Sequence, residues 1–251
     1  MSSIFLSVVI PCYDEVANLR KGVLDKVKSF LEKEKIAYEI IVVDDGSKDG
    51  SIQFVKKFID DNPEVKIIEN KHLGKAGTVT TGMLAGKGEY ILFTDMDQAT
   101  PIEEIDHLLP FLTGKKCDVA IGSRSLGGMG YPASRLFIHE AMILSRKILV
   151  GLPTISDTQC GFKLFTHDAA KTIFTKLHTI HHGFKEISSS AVQAGFDVEV
   201  LLIAQKLGYR IQEVPVQWLY VESRRVSPIK DSVEGMINLL TIRKNKWKGI
   251  Y

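Results

Sequence analysis

Short β-branched runs that alternate with longer stretches of helical period constrain this chain more than any other feature of its sequence. The runs Leu6–Ile10, Tyr38–Asp44, Val65–Glu69, Tyr90–Thr94 and Val119–Gly122 predict strands. The gaps, approximately Glu15–Glu34, Lys48–Asp60, Lys75–Leu84 and Ile102–Leu112, predict helices, each opening near a capping residue or a proline in its first turn. Such alternation is the signature of an α/β protein, a mostly parallel sheet flanked by helices. From Ser134 onward the order changes to helix, loop and helix, then a strand at Ile211–Gln217 and a helix near Ser232–Arg243. At 251 residues, 45% of them hydrophobic and 25% charged, the chain can bury a substantial core and is not disordered.

The fourth run ends abruptly in Asp95-Met96-Asp97. Read as a buried strand, it delivers Asp95 and Asp97 to one side of its carboxyl end, where open α/β sheets bind ligands. Two adjacent anions repel and need compensation. Mg²⁺ or Mn²⁺ supplies it, since such ions take one or two protein carboxylates and complete their shell with water and pyrophosphate oxygens. The alternative is a surface turn with two solvated acids.

Two more loops follow the carboxyl ends of predicted strands and gather on the same rim: Pro11-Cys12-Tyr13-Asp14-Glu15 and Asp44-Asp45-Gly46-Ser47-Lys48-Asp49-Gly50. The second is neither a dinucleotide fingerprint nor a Walker loop, because it lacks repeated glycines and a Gly-Lys-Ser/Thr ending. It is acidic, so its carboxylates suit the hydrogen-bond donors of a base or ribose, while phosphate charge falls to a metal and to Lys75 in Gly74-Lys75-Ala76-Gly77. Helix capping is the alternative for Glu15, Asp44 and Asp45, and the preferred reading for Asp49. A lysine at a helix start opposes the helix dipole, which points to an anion near Lys75.

Val9-Ile10-Pro11-Cys12-Tyr13-Asp14-Glu15, Ile41-Val42-Val43-Asp44-Asp45-Gly46-Ser47, Gly74-Lys75-Ala76-Gly77 and Asp95-Met96-Asp97, in this order, resemble glycosyltransferase family 2 with its GT-A fold. Ile121-Gly122-Ser123-Arg124, Asp157-Thr158-Gln159-Cys160-Gly161-Phe162-Lys163 and Val214-Pro215-Val216-Gln217-Trp218 look like its polyprenyl-phosphate hexosyltransferase branch, nearest the dolichyl-phosphate β-glucosyltransferases. The resemblance implies one GT-A domain over residues 1–251, with about 1–125 as the nucleotide-sugar half and about 126–251 as the acceptor and membrane-facing half. It further implies that Pro11, Tyr13, Glu15, Asp44, Asp45, Lys75, Asp95 and Met96 frame the nucleotide-sugar donor, with Asp95 and Asp97 holding Mg²⁺ or Mn²⁺. In the mannose synthase pattern a glutamine two residues after the second aspartate joins the metal shell; here Ala99 holds that place and Gln98 precedes it. Water is expected in place of a third protein ligand.

An acceptor that is a lipid monophosphate is already an anion, so it needs positive charge more than a general base. Arg124, Arg135, Lys163, Arg224 and Arg225 are the candidates for that charge, Arg124 foremost because it follows a strand end. The resemblance implies that Asp157, Asp97 and Arg124 are catalytic, Asp157 matching the aspartate that inverting members place near the acceptor and so acting as base or orienting group; capping the turn before Gly161 is the alternative for Asp157. The implied reaction is inverting, metal-dependent transfer of glucose from UDP-glucose to dolichyl or polyprenyl phosphate. Mannose from GDP-mannose, a soluble sugar acceptor, and a non-catalytic sugar-nucleotide-binding protein are the alternatives.

A net charge of +2 selects no partner, and nothing points to nucleic acid. No apolar run reaches the roughly 18 residues of a membrane span, and Met1 to Pro11 is too short for a signal peptide. Ser134–Val150 and Met236–Ile242, the latter followed by basic residues and Trp247, have the broad apolar faces of interfacial helices, although packing on a core or a dimer partner gives the same pattern. The expectation is a peripheral protein at the cytoplasmic face of a membrane, with a separate membrane partner as a possibility to test. Cys12, Cys117 and Cys160 lie far apart without metal spacing and are read as free thiols, Cys12 and Cys160 as packing residues. His178, His181 and His182 are read as a polar loop rather than a metal cluster.

Overall fold

The computed structural model describes residues 4–124, 150–186, 195–219 and 228–251, with 228–234 described by backbone alone. The strands are β1 (Leu6–Cys12), β2 (Tyr38–Asp44), β3 (Val65–Glu69), β4 (Tyr90–Thr94), β5 (Val119–Arg124), β6 (Phe162–Thr166) and β7 (Ile211–Val216). Among the described residues they form one sheet in the order β3-β2-β1-β4-β6-β5-β7. All neighbours run parallel except β6, which is antiparallel to both β4 and β5. The helices are α1 (Val16–Arg20), α2 (Val23–Lys33), α3 (Ser51–Asp60), α4 (Gly74–Ala85), α5 (Ile105–Thr113), α6 (His167–Ile180), α7 (Phe196–Lys206) and α8 (Pro228–Trp247).

The period-2 alternation of the strands sorts the core into two layers. Val8, Ile10, Val42 and Leu92 pack with residues of α1, α2, α3 and α5 on one face, while Val9, Ile41, Val43, Ile91 and Phe93 pack with α4, α6, α7 and α8 on the other. Each fully buried aliphatic side chain contributes about 1.5–3 kcal/mol, so both faces of the sheet must stay covered. The three-layer α/β/α architecture expected from the sequence follows.

Strand order decides where the site lies. From β1 the chain moves outward through β2 to β3 and then returns to β4 on the other side of β1. The loops after β1 and β4 therefore diverge and leave a crevice at the carboxyl ends of these strands. The antiparallel β6 then matters. Its register, Thr94 opposite Phe162 and Phe93 opposite Lys163, brings the turn that enters β6 to the same rim.

Two elements differ from the sequence expectation. The long helix over Glu15–Glu34 is two helices, because Gly22 between them takes φ +77°, a left-handed conformation that glycine adopts without strain. Strand β6 has no counterpart in the expected order. Its buried lysine breaks the apolar pattern of an interior strand, and the partner that makes burial tolerable, Asp197, comes from α7. The expected helix over Ser134–Val150 lies outside the described residues except for Val150, and Arg135, Arg224 and Arg225 lie outside them as well.

Candidate active site

The β1 and β2 loops are locked together by side-chain to backbone hydrogen bonds. Asp14 N donates to Ser47 Oγ and Lys48 N to Asp14 Oδ1, at 2.9 and 2.7 Å. Asp49 accepts from Val16 N and Ser51 N, the first residues of α1 and α3, while the N-cap position of α3 itself is Gly50. Pro11, Tyr13 and Glu15 stand half-buried on this rim. The Tyr13 ring stacks on His72 with centroids 4.4 Å apart and planes at 11°.

The two neighbouring aspartates behave differently. Asp45 is spent on structure: its oxygens take Leu73 N at 2.7 Å and Gly74 N at 3.0 Å, capping α4, and face His72 Nδ1 at 2.8 Å. Asp44 uses Oδ2 for Gly46 N and Ser47 N, both at 2.9 Å, while its Oδ1 is buried with no hydrogen-bond partner among the described residues. A buried acceptor left unpaired is costly, and the N–H or O–H of a bound nucleoside would relieve it.

Asp95 and Asp97 follow the end of β4 in the crevice. Asp95 N donates to Gly161 O at 3.1 Å, and its carboxylate fills the space where any larger residue 161 would put a Cβ; that atom would lie 1.8 Å from Asp95 Oδ2. Lys75, in the first turn of α4, places Nζ 2.7 Å from Asp95 Oδ1. It is the anion that the position of Lys75 called for. Burial lowers the Lys75 pKa, but the charges of Asp95, Asp197 and Asp97 outweigh it and hold the ammonium above its ordinary range. Burial and then the charge of Asp95 push the Asp97 carboxyl up, against the hydrogen bond from Ala99 N at 3.0 Å.

Hard oxygens from two carboxylates one residue apart, one of them seated over Gly161 where a Cβ would displace it, fit a divalent cation that carries phosphates. Asp95 and Asp97 would hold it. Gln98 donates to Thr94 Oγ1 and Asp95 O instead of pointing an oxygen at them, and among the described residues no group of three or more His, Cys, Asp or Glu is arranged around a metal position. Met96 turns its side chain into the core at 3% exposure, so the expected donor contact does not come from its side chain.

Lys163 also departs from expectation. It is 1% exposed, with Nζ 2.5 Å from Asp197 Oδ1 and 2.6 Å from Cys160 O, so its ammonium braces the turn behind Asp95 and does not reach the rim. The charge is buried because Asp197 and a carbonyl pair it.

Arg124, at the end of β5, and Asp157, in the turn before β6, meet across the antiparallel register. Arg124 grips Asp157 through Nε to Oδ2 at 2.7 Å, Nη2 to Oδ1 at 2.8 Å, and its own backbone N to Oδ2 at 3.0 Å. Burial raises the Asp157 pKa, but the bonds and charge of Arg124 outweigh it and hold the carboxyl below its ordinary range. A group kept ionised in this way is a poor proton acceptor and a good orienter. Two partners went unrecognised in the sequence. Glu213 of β7 takes Asp157 N at 2.6 Å, and the Trp218 ring lies 5.8 Å from the Arg124 guanidinium. A glutamate inside a short strand, Glu213 in Gln212-Glu213-Val214, was the available signal for the first.

The cysteines carry no chemistry here. All three are free and buried, and burial pushes the Cys12 thiol up to about 12 and the Cys117 thiol up to about 11. His181 follows the last turn of α6, its Nε2 2.7 Å from Glu199 Oε2 and its ring stacked on Phe184.

The mostly parallel sheet with its helices is the GT-A architecture, and the chain belongs to glycosyl transferase family 2, whose model matches residues 7–174. Its curated relatives include the dolichyl-phosphate beta-glucosyltransferase of Dictyostelium discoideum, 33% identical with 100% of this chain and 77% of that protein covered. The human protein of the same name is 33% identical over 95% of this chain and 74% of its own length. Among solved structures, glucosyl-3-phosphoglycerate synthase from Mycobacterium tuberculosis in complex with UDP shares the fold at a TM-score of 0.59 and 15% identity, over 96% of this chain and 80% of that one. A mannosyltransferase from Pyrobaculum calidifontis in complex with GDP-Man and Mn²⁺ does so at 0.55 and 15%, over 97% and 74%.

Proposed function

We propose that this chain is an inverting, metal-dependent hexosyltransferase that moves glucose from UDP-glucose onto dolichyl or a related polyprenyl phosphate. The observation that carries this reading is the convergence, on one rim, of the Asp95 and Asp97 carboxylates with the Arg124 guanidinium held on Asp157. Relatives named as dolichyl-phosphate beta-glucosyltransferases over nearly the whole chain support the sugar and the acceptor.

Asp44 Oδ1 receives a donor from the uridine, and the stacked Tyr13 and His72 rings wall the nucleotide. Asp95 and Asp97 would hold a divalent cation, which when bound would supply positive charge to the leaving diphosphate. Lys75 adds a second positive charge beside it. On the other side, Arg124 receives the acceptor phosphate: Asp157 takes its Nε and one Nη2 N–H and fixes the plane, which leaves the Nη1 and second Nη2 N–H groups for phosphate oxygens. The nucleophile is a phosphate oxygen already ionised near neutral pH, so Asp157 orients and need not take a proton. Arg135, Arg224 and Arg225 join the acceptor side in this reading. Attack opposite the leaving diphosphate turns an α-linked donor into a β-linked product.

The lipid tail implies peripheral attachment at the cytoplasmic face of a membrane. On α8, Leu239 and Ile242 face the core, while Ile237, Leu240 and Trp247 are exposed, Trp247 at 76%, beside Lys244 and Lys248. Exposed apolar residues flanked by lysines suit an anionic bilayer surface. No helix among the described residues is long and apolar enough to cross a membrane.

The test is transfer from radiolabelled UDP-glucose and, separately, GDP-mannose, offered to dolichyl phosphate in detergent and to free sugars, with Mg²⁺ or chelator. The reading expects chelator-sensitive label in the lipid from UDP-glucose alone. Label only in free sugars, or in lipid only from GDP-mannose, would overturn the assigned acceptor or donor respectively.

A further inference from the structure

Lys75 stands where its own helix disfavours it. A cation in the first turn of α4 opposes the helix dipole, so the rim must supply the attraction. It does so through one oxygen, Asp95 Oδ1 at 2.7 Å, with the ammonium also 5.4 Å from the Phe93 ring centroid. Behind it, Lys163 on Asp197 provides a second, buried pair around the same ring, 5.8 Å from its centroid. That second pair is fixed by burial; the first is not, since the Lys75 and Asp95 side chains keep 30% and 34% of their exposure.

The carboxylate that Lys75 holds is one of the two that the metal reading assigns to the cation, and the inference rests on that reading. A lysine ammonium and a divalent ion brought to the same carboxylate repel each other across a few ångströms, so each weakens the other's hold on Asp95. We propose that Lys75 is an internal counter-ion of the donor-free protein: it occupies Asp95 until a divalent cation and a nucleoside diphosphate arrive together, then passes to the diphosphate. Charge makes the exchange directional. Asp95, Asp97 and Lys75 sum to one negative charge. Adding the cation alone gives a positive cluster in which lysine and metal repel, and the diphosphate then gives both a partner. Lysine suits this role because its ammonium rides on a flexible stem and binds as a point charge, without a fixed fork. The consequence is coupling. Lys75 weakens metal binding in the absence of nucleotide and strengthens it in its presence, and by linkage metal does the same for nucleotide.

The test is Mn²⁺ binding to the full chain, followed by the electron paramagnetic resonance of free Mn²⁺, with and without UDP, in wild type, Lys75→Met and Lys75→Arg. Lys75→Met is expected to bind Mn²⁺ alone about five-fold more tightly, the worth of a part-exposed ion pair, while the gain in Mn²⁺ affinity on adding UDP shrinks by about ten-fold. Lys75→Arg is expected to stay near wild type in both. Lys75→Met that binds Mn²⁺ alone no more tightly than wild type, with UDP still enhancing it fully, would overturn the exchange while leaving the metal site intact. Absence of Mn²⁺ binding in every protein, with and without UDP, would overturn the metal reading and this inference with it.

Discussion

Replacing Gly161 by alanine tests the rim geometry directly, because the added methyl carbon would lie 1.8 Å from Asp95 Oδ2 and 2.4 Å from its Cγ. Ordinary contact begins at 3.4 Å, so the carboxylate must retreat by about 1.6 Å. The residue-161 backbone is free of the positive φ that would penalise alanine, and its carbonyl still accepts from Asp95 N, so the damage concentrates on one side chain. Asp95 is partly exposed and its ion-pair partner Lys75 sits on a flexible stem that can follow it, so the stability cost falls near the low end of overpacking, about 1 kcal/mol. Catalysis is less forgiving. A displacement of an ångström or more at a group that positions the leaving diphosphate costs about 10²-fold in kcat/KM. Steady-state transfer assays on Gly161→Ala, Asp95→Ala and the double variant separate the causes. If the methyl acts through Asp95, the double variant is no slower than Asp95→Ala. Near-wild-type kcat/KM in a folded Gly161→Ala would refute the claim that the position of Asp95 governs transfer.

Arg124→Lys keeps the charge and loses the fork; kcat/KM for the lipid phosphate is expected to fall at least about ten-fold, with about 1–2 kcal/mol lost in denaturant unfolding from the weakened grip on Asp157. Lys163→Met leaves Asp197 and Cys160 O without their partner and is expected to cost about 3 kcal/mol, most of it recovered in Lys163→Met/Asp197→Leu; equal stability of the single variant would show that the pair contributes nothing. Acid sensitivity follows from Asp157 and Glu39, whose carboxyls burial pushes up but which Arg124, and Lys66 with Ser7, bring below the ordinary range. A depressed folded pKa stabilises above the unfolded value and is lost as pH falls through the folded one, so the urea midpoint should drop below about pH 4.5, less steeply in Asp157→Asn; a flat midpoint down to about pH 3 would contradict this.

The parallel half of the sheet was readable because each β-branched run is short, apolar and followed by a helical period, and β2, β3 and β4 fall where those runs lie. The rim was readable because loops after parallel strands gather at one edge. Individual roles were not. Asp44 and Asp45 are neighbours of one type, yet one caps α4 and the other keeps a buried oxygen unpaired, a split set by which carboxylate meets Leu73 N. Lys163 reads as a surface cation until β6 is placed between β4 and β5 and Asp197 is brought to it from 34 residues away. Such pairings arise from tertiary register, which leaves no local trace in a single sequence. Arg124 and Asp157 illustrate the same limit: each was singled out separately, Arg124 as phosphate clamp and Asp157 as base or orienting group, and only the fold shows them joined into one unit.

The most direct test of the central claim is the transfer of radiolabelled glucose from UDP-glucose to dolichyl phosphate by wild type and by Asp97→Asn, each with Mg²⁺, with the anomeric linkage of the product determined. The account predicts a β-linked lipid product from wild type, abolished by chelator, and almost none from a normally folded Asp97→Asn. Comparable turnover by the two proteins, or wild-type turnover that survives chelation, would contradict it.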